Sequence, residues 1–204
     1  MKSGRPNESR HESAKEAIRN AAAELFAEKG FAATSTREIC QRAGVTKPVL
    51  YYHFGNKEEL YEGLVLDTFN EYQKELRCAT HRGHTPREKL VEVLTAMFGF
   101  LRRNRTFSRM AMRMVFAPEG ESPAINYLEL GQVVEKVLAV VVREGVRRGE
   151  IKGQAEAIAG AIHGIAMACV QGFLLMGQPT LDRTLARNVI NLIMDGCAKK
   201  STER

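Results

Sequence analysis

The chain has 204 residues, 44% of them hydrophobic, which is enough apolar material for a packed core without covalent staples. Four cysteines without paired spacing exclude a disulfide framework, and the first ten residues, MKSGRPNESR, carry no apolar stretch of the secretory type, so a reducing, cytoplasmic setting is expected. Of the formal net charge of +6, a share of +4 falls at or before Lys57 and +2 beyond it, so the basic excess sits in the first quarter and points to a polyanionic partner.

Taken in chain order, apolar residues recur with the 3.6-residue period of helices, and no strand-like alternation bounded by turns is present, so the fold class is all-α. Ser13-x-x-Glu16 predicts the start of a first helix with Ile18, Ala22, Leu25 and Phe26 on one face and a stop at Gly30. Ser35-x-x-Glu38 predicts a short second helix, closed by Gly44, with Ile39 and Ala43 facing inward. A third begins at Thr46 or Lys47 and ends near Phe54, with Pro48 in its first turn, where no helical amide bond is lost. Asn56-x-x-Glu59 opens a longer helix with Leu60, Leu64, Thr68, Tyr72 and Leu76 near its buried side.

Beyond the break HRGH, Thr85-Pro86-x-Glu88 combines a cap, a first-turn proline and the reciprocal glutamate. Leu90, Val93, Leu94, Met97 and Leu101 follow as a stripe. A shorter helix from Thr106 to Phe116 comes next. Ser122-Pro123 opens a long helix through Arg148, and two more run from about Gln154 to Met176 and from about Asp182 to Lys199. Ala157 to Leu181 contains no Asp, Glu, Lys or Arg. It is long enough for a membrane span, but His163, Gln171 and Gln178 and its amphipathic neighbours favour a helix buried within soluble protein, so no membrane partner is expected.

The segment GVTKPVLYYHFGNKEEL, Gly44 to Leu60, concentrates aromatic rings with polar tips between lysines. Two short helices joined by Gly44-Val45-Thr46 describe a helix-turn-helix, whose second helix lies in the major groove. Leu50 and Phe54 form its inner face, leaving Lys47, Pro48, Val49, Tyr52 and His53 toward the groove or its walls. Tyrosine and histidine pack against sugar edges while donating to phosphates, and Lys47 reaches a guanine edge or a phosphate. Lys57, beside the exposed amides of the next helix, is placed to hold a phosphate. An aromatic core patch at this place would need three buried polar tips satisfied together.

Arg10 to Leu64 resembles the DNA-binding segment of the tetracycline-repressor (TetR) family, on Ala23, Leu25, Phe26, Gly30, Thr34, Ile39, Ala43-Gly44-Val45, Leu50-Tyr51-Tyr52-His53-Phe54 and Lys57-Glu59-Leu60. The resemblance implies a nine-helix homodimer, with a helix-turn-helix domain over 1–56 that binds double-stranded operator DNA and a helical effector-binding and dimerisation domain over 57–204. It carries DNA contacts to Ser35, Arg37, Thr46, Lys47, Pro48, Tyr51, Tyr52, His53 and Lys57, the last four chiefly to phosphates. Cys40 stands where the family usually has alanine, and Pro48 where glycine is frequent. The implied function is a ligand-responsive transcriptional regulator, a repressor that leaves its palindromic operator when a small, mainly apolar effector binds.

Met97, Phe98, Phe100, Met110 and Met114 form the candidate wall for that effector, methionine and phenylalanine being adaptable apolar contacts; ordinary core filling is the competing reading. Gly160, Gly164, Ala168 and Gly172 fall at intervals of four and build a ridge of minimal side chains that, with Leu185, Val189, Leu192 and Ile193 of the last helix, is expected to pair with its copy as a four-helix dimer interface. Cys78-x-x-His81-x-x-His84 has the donor types of a zinc or copper site but no obvious fourth ligand, so no metal or other cofactor is expected. A metal- or redox-responsive regulator and a nonspecific DNA-binding protein remain as alternatives. No P-loop, dinucleotide fingerprint, HExxH or nucleophile elbow is present, and a non-enzymatic role is expected.

Overall fold

The computed structural model describes residues 6–115, 123 and 127–196, with the side chains of 12–113, 123 and 131–196. Among them run nine helices and no strand: α1 (Pro6–Lys29), α2 (Thr36–Ala43), α3 (Lys47–Phe54), α4 (Lys57–Ala79), α5 (Pro86–Arg103), α6 (Arg105–Val115), α7 (Tyr127–Arg147), α8 (Ala155–Met176) and α9 (Arg183–Asp195). The all-α reading holds. One start is corrected, because α1 begins at Pro6 rather than at Ser13; proline is well placed in a first turn, so the helix continues upstream of the Ser13 signature. The expected helix start at Ser122 and the ends at Phe116 and Lys199 lie outside the described residues.

The chain divides into two compact units, Met1–Asn70 with Arg105–Tyr127, and Glu71–Asn104 with Leu128–Arg204. The first therefore extends past residue 56 and takes in α6, a helix that sequence order alone would assign to the body. In this unit α1 packs against α2, α3 and α6, and α2 against α3. Ile18, Ala21, Ala22, Leu25 and Phe26 are buried along one stripe of α1, the i, i+3, i+4, i+7, i+8 spacing of a core-facing helix. Phe26, Phe31 and Tyr61 close the same core, with Phe26 and Tyr61 edge-to-face at 5.0 Å and Phe31 and Tyr61 at 5.3 Å.

In the second unit α5 packs on α8 and α9, and α8 on α9. The cap expected at Thr85 is formed: its Oγ1 accepts from the Glu88 amide at 3.2 Å, and Glu88 accepts from the Thr85 amide at 3.3 Å. Leu90, Val93, Leu94 and Met97 are buried as a stripe below it. Lys89 on α5 donates to both carboxylate oxygens of Glu144 on α7, at 2.9 and 2.8 Å, and Asp182 caps α9 by accepting from the Leu185 amide at 2.8 Å.

Candidate nucleic-acid interface

The interface is built from two helix ends that set α3 on the surface of the first unit. Ser35 closes a capping box: its Oγ accepts from the Glu38 amide at 3.3 Å and donates to Glu38 Oε2 at 2.7 Å, while its own amide donates to the same oxygen at 2.9 Å. At the other end Gly44 takes φ 67°, a left-handed conformation that costs glycine little. Its amide reaches the carbonyl of Gln41 and that of Val45 reaches Cys40, at 3.4 and 3.0 Å, which turns the chain sharply into α3. A β-branched residue at 44 would be strained there whatever space surrounds it.

On α3, Leu50 is fully buried and Phe54 nearly so, while Tyr51 and Tyr52 are 45% and 75% exposed. Two large aromatic side chains thus stand in solvent on a helix of eight residues whose inner face is already full. Lys47 and Pro48 are exposed beside them, Val49 is half-buried, and His53 is half-buried with its ring 5.1 Å from that of Tyr52. Thr46 is the N-cap residue, but its side chain makes no capping hydrogen bond. Ser35 differs, since its hydroxyl proton and its amide are both directed at Glu38; Arg37, two residues on, is exposed. Of the two hydroxyls expected to face a duplex, Thr46 has the freer geometry.

Lys57 is placed differently from the expectation. Its Nζ donates to the carbonyls of Phe31 at 3.1 Å and Thr34 at 3.0 Å and lies 4.0 Å from the centroid of the Phe31 ring. An ammonium has three donors, so two of them are turned into the fold. The group ties the start of α4 to the α1–α2 connection, and Thr34, itself buried, returns its hydroxyl to the Gly30 carbonyl at 2.7 Å.

Ion pairs cross from α1 to α2. Lys29 bonds Glu38, and Arg42 bonds Glu28 at 2.8 Å. The Lys29 ammonium, and after it the Ser35 hydroxyl and amide, hold the Glu38 carboxyl down to about 2; Arg42 holds Glu28 below the usual carboxylate range. Arg113 of α6 then donates to the Glu28 main-chain carbonyl at 2.8 Å, filling one of the acceptors left open in a helix's last turn. Its partner is 85 residues away, and no local signal marks the contact.

The model of bacterial regulatory proteins, tetR family, matches residues 18–64, the stretch that contains the buried stripe of α1, both short helices and the start of α4. Residues 18–64 thus match the DNA-binding segment of the TetR family. It is 29% identical over 140 residues to the HTH-type transcriptional repressor KstR2 of Mycolicibacterium smegmatis, covering 64% of this chain and 64% of that protein. It is 32% identical over 104 residues to the HTH-type transcriptional activator FasR of the same species, covering 51% and 48%. The match therefore spans between about half and two thirds of these curated relatives' length. Among solved structures, the transcriptional regulator FadR from Bacillus subtilis in complex with stearoyl-CoA superposes with a TM-score of 0.72 at 22% identity, over 90% of this chain and 99% of that one; at that identity the likeness is one of fold.

The remaining expected residues divide between the two units of the chain. Met97, Phe98 and Phe100 are buried in the second, where Phe100 lies 5.0 Å from Tyr72 and burial pushes the Tyr72 hydroxyl well above its ordinary range. Met110 is buried in the first. The side chain of Met114 lies outside the described residues. On α8 the buried stripe is Ala155, Ala159, Ile162, Ala166, Val170 and Leu174, and Gly160, Gly164 and Ala168 fall on another face. A Cβ at Gly160 or Gly164 would meet nothing within 4 Å, whereas one at Gly172 would come 2.6 Å from the Gln178 carbonyl oxygen. Gly172 is thus explained inside its own chain and leaves the ridge. Val189 is buried within the chain, whereas Leu192 is 47% exposed and Leu185 and Ile193 are half-buried.

Among the described residues no three of His, Cys, Asp and Glu gather as a metal site. Cys40 and Cys169 have thiols pushed up by burial, which disfavours the reactive thiolate a redox sensor needs.

Proposed function

We propose that this chain is a dimeric, cytoplasmic transcriptional regulator that binds a palindromic operator as a repressor and releases it when a mainly apolar effector binds. The observation that carries the reading is the division of α3: Leu50 and Phe54 anchor one face, and Lys47, Pro48, Tyr51 and Tyr52 stand exposed on the other. A helix presenting rings and a cation in this way suits a major groove and its phosphate walls. The relatives named include both a repressor and an activator; the repressor, which aligns over the larger share of the chain, supports release rather than recruitment as the mode of control.

For the effector, the reading takes a long-chain acyl thioester as the class, supported by the stearoyl-CoA in the FadR structure and by the buried apolar set Met97, Phe98 and Phe100 of the second unit. For the dimer, α8 is apolar along most of its length, yet only the Ala155, Ala159, Ile162, Ala166, Val170 and Leu174 stripe is buried within the chain. Gly160, Gly164 and Ala168, with Leu185, Leu192 and Ile193 of α9, are the face assigned to the partner copy. Two recognition helices must then stand about 34–36 Å apart to read both half-sites.

The test is duplex selection from a randomised pool, followed by fluorescence anisotropy on the winner with excess unrelated duplex. A palindrome retained against competitor, and released by stearoyl-CoA, is expected. Enrichment of no sequence would leave a nonspecific DNA-binding protein. A retained palindrome indifferent to stearoyl-CoA would remove the acyl class while keeping the regulator.

A further inference from the structure

In the second unit a cleft of about 470 Å³ opens between the α4–α5 connection, the first turns of α5, and α9. Four guanidiniums and an imidazole line it: Arg82, His84, Arg87, Arg183 and Arg187. Arg183 is paired with Glu92, and Arg87 bonds Asp195 at 2.8 Å and Asn191 at 3.0 Å. The other carboxylate of the lining, Glu88, is taken up by the amides of His84 and Thr85, at 2.9 and 3.3 Å. Arg82 and Arg187 are left with no carboxylate partner among the described residues. They enter one concavity from separate elements.

The walls are set before anything binds. A Cβ on Gly83 would come 2.6 Å from the Lys89 amide nitrogen and 2.8 Å from the Glu88 carbonyl carbon, so the connection lies hard against α5 and holds the residues on either side of it, Arg82 and His84. On the facing wall, Arg183 is fixed by Glu92 and stands one helical turn from Arg187. Like charges gathered in a concavity repel, and an anion between them converts that repulsion into attraction, with guanidinium geometry suited to phosphoryl oxygens. A solvated basic surface needs neither a locked wall nor convergence. The volume is that of a small-molecule site and exceeds one inorganic anion.

We propose that this cleft binds a small molecule carrying two linked phosphoryl groups, with Arg82 and Arg187 as its principal ligands from opposite walls and Arg87 as a third, oriented by Asp195. The site is separate from the apolar effector reading, and either can fail alone.

The probe is inorganic pyrophosphate, titrated calorimetrically into the full chain at fixed ionic strength. Saturable binding is expected, at least tenfold tighter than for orthophosphate, which cannot engage both walls. The double variant Arg82→Gln with Arg187→Gln should bind pyrophosphate at least tenfold more weakly. The charge-matched control Arg102→Gln with Arg109→Gln should bind it like the parent. Equal losses in the two double variants would reduce the effect to net charge and overturn the site, as would no binding at millimolar pyrophosphate. Equal affinity for orthophosphate would overturn the two-group requirement. Should the first double variant not fold, by circular dichroism, Arg187→Gln alone carries the same comparison.

Discussion

The ammonium of Lys57 sits 4.0 Å from the centroid of the Phe31 ring while donating to the carbonyl of that same residue at 3.1 Å. With its second bond to the Thr34 carbonyl, at 3.0 Å, it fastens the residues that precede α2 to the start of α4. This separates two roles that a lysine at this position can have. Removing it leaves two carbonyls without their charged partner, a loss of roughly 1–3 kcal/mol in stability by the usual cost of an unsatisfied group. Lys57→Ala should therefore lower the urea midpoint, and should weaken operator binding through misplacement of α2 and α3. A phosphate contact would instead reduce the slope of log affinity against log salt by about 1. An unchanged midpoint together with a reduced slope would make Lys57 a phosphate ligand and nothing more.

On α3 the exposed residues should differ in what they do to a duplex. Tyr52→Phe removes one hydroxyl and is expected to weaken all duplexes alike. Lys47→Ala is expected to shift preference among operator variants as well, by about 1–3 kcal/mol at one base pair. Competition between operator variants measures both; equal losses on every variant would make Lys47 a positioning contact only.

Arg113 and Glu28 link α6 to the end of α1, and the Glu28 carboxylate links onward to Arg42 of α2. A substitution at 113 should thus act on the α1–α2 arrangement from a helix that carries no expected DNA contact. Arg113→Gln is expected to bind the operator more weakly and to change the ratio of operator affinities with and without effector, a coupling usually worth about 1–3 kcal/mol. Operator titrations with and without stearoyl-CoA test it, and identical curves for variant and parent would confine Arg113 to a local cap.

Acid should loosen the same region. The folded Glu38 carboxyl titrates at about 2, below its ordinary 4.5, so the unfolded chain binds its proton first as pH falls. The stabilisation is fully present above about pH 4.5 and is lost progressively as pH drops toward 2; Glu28, lowered by Arg42, acts with the same sign. Urea midpoints measured from pH 6 to pH 2.5 should decline less steeply for Glu38→Gln than for the parent. Parallel declines would show that other carboxylates carry the acid response.

Gly164 offers a clean test of the dimer. A Cβ there meets open space within the chain, so Gly164→Leu should leave the fold of one subunit intact and push only against a partner, where overpacking costs about 1–3 kcal/mol. Sedimentation is expected to show a shift toward monomer and anisotropy a loss of operator affinity. Gly172→Ala, by contrast, should lower thermal stability through its clash with Gln178. A Gly164→Leu protein that stays dimeric would place the interface elsewhere.

What the sequence by itself determined is local chemistry. The capping boxes at Ser35–Glu38 and Thr85–Glu88, the left-handed exit at Gly44 and the opposition of Leu50 and Phe54 to Tyr51 and Tyr52 depend on residues three to a few positions apart, where chain geometry dictates which groups can meet. What only the tertiary structure decided are relations across long separations. Lys57 reads as a surface cation until the α1–α2 connection is brought under it, and Arg113 gains its main-chain partner only when α6 lies on α1. Gly160, Gly164, Ala168 and Gly172 look equivalent at intervals of four, and only the return of the chain at Gln178 distinguishes the last from the others. Arg82 and Arg187 have no relation in sequence, because their shared cleft exists only when α9 packs against α5. Periodicity says which face of a helix is apolar, but the neighbour that covers it is chosen by packing of the whole chain, and no window of sequence contains that information.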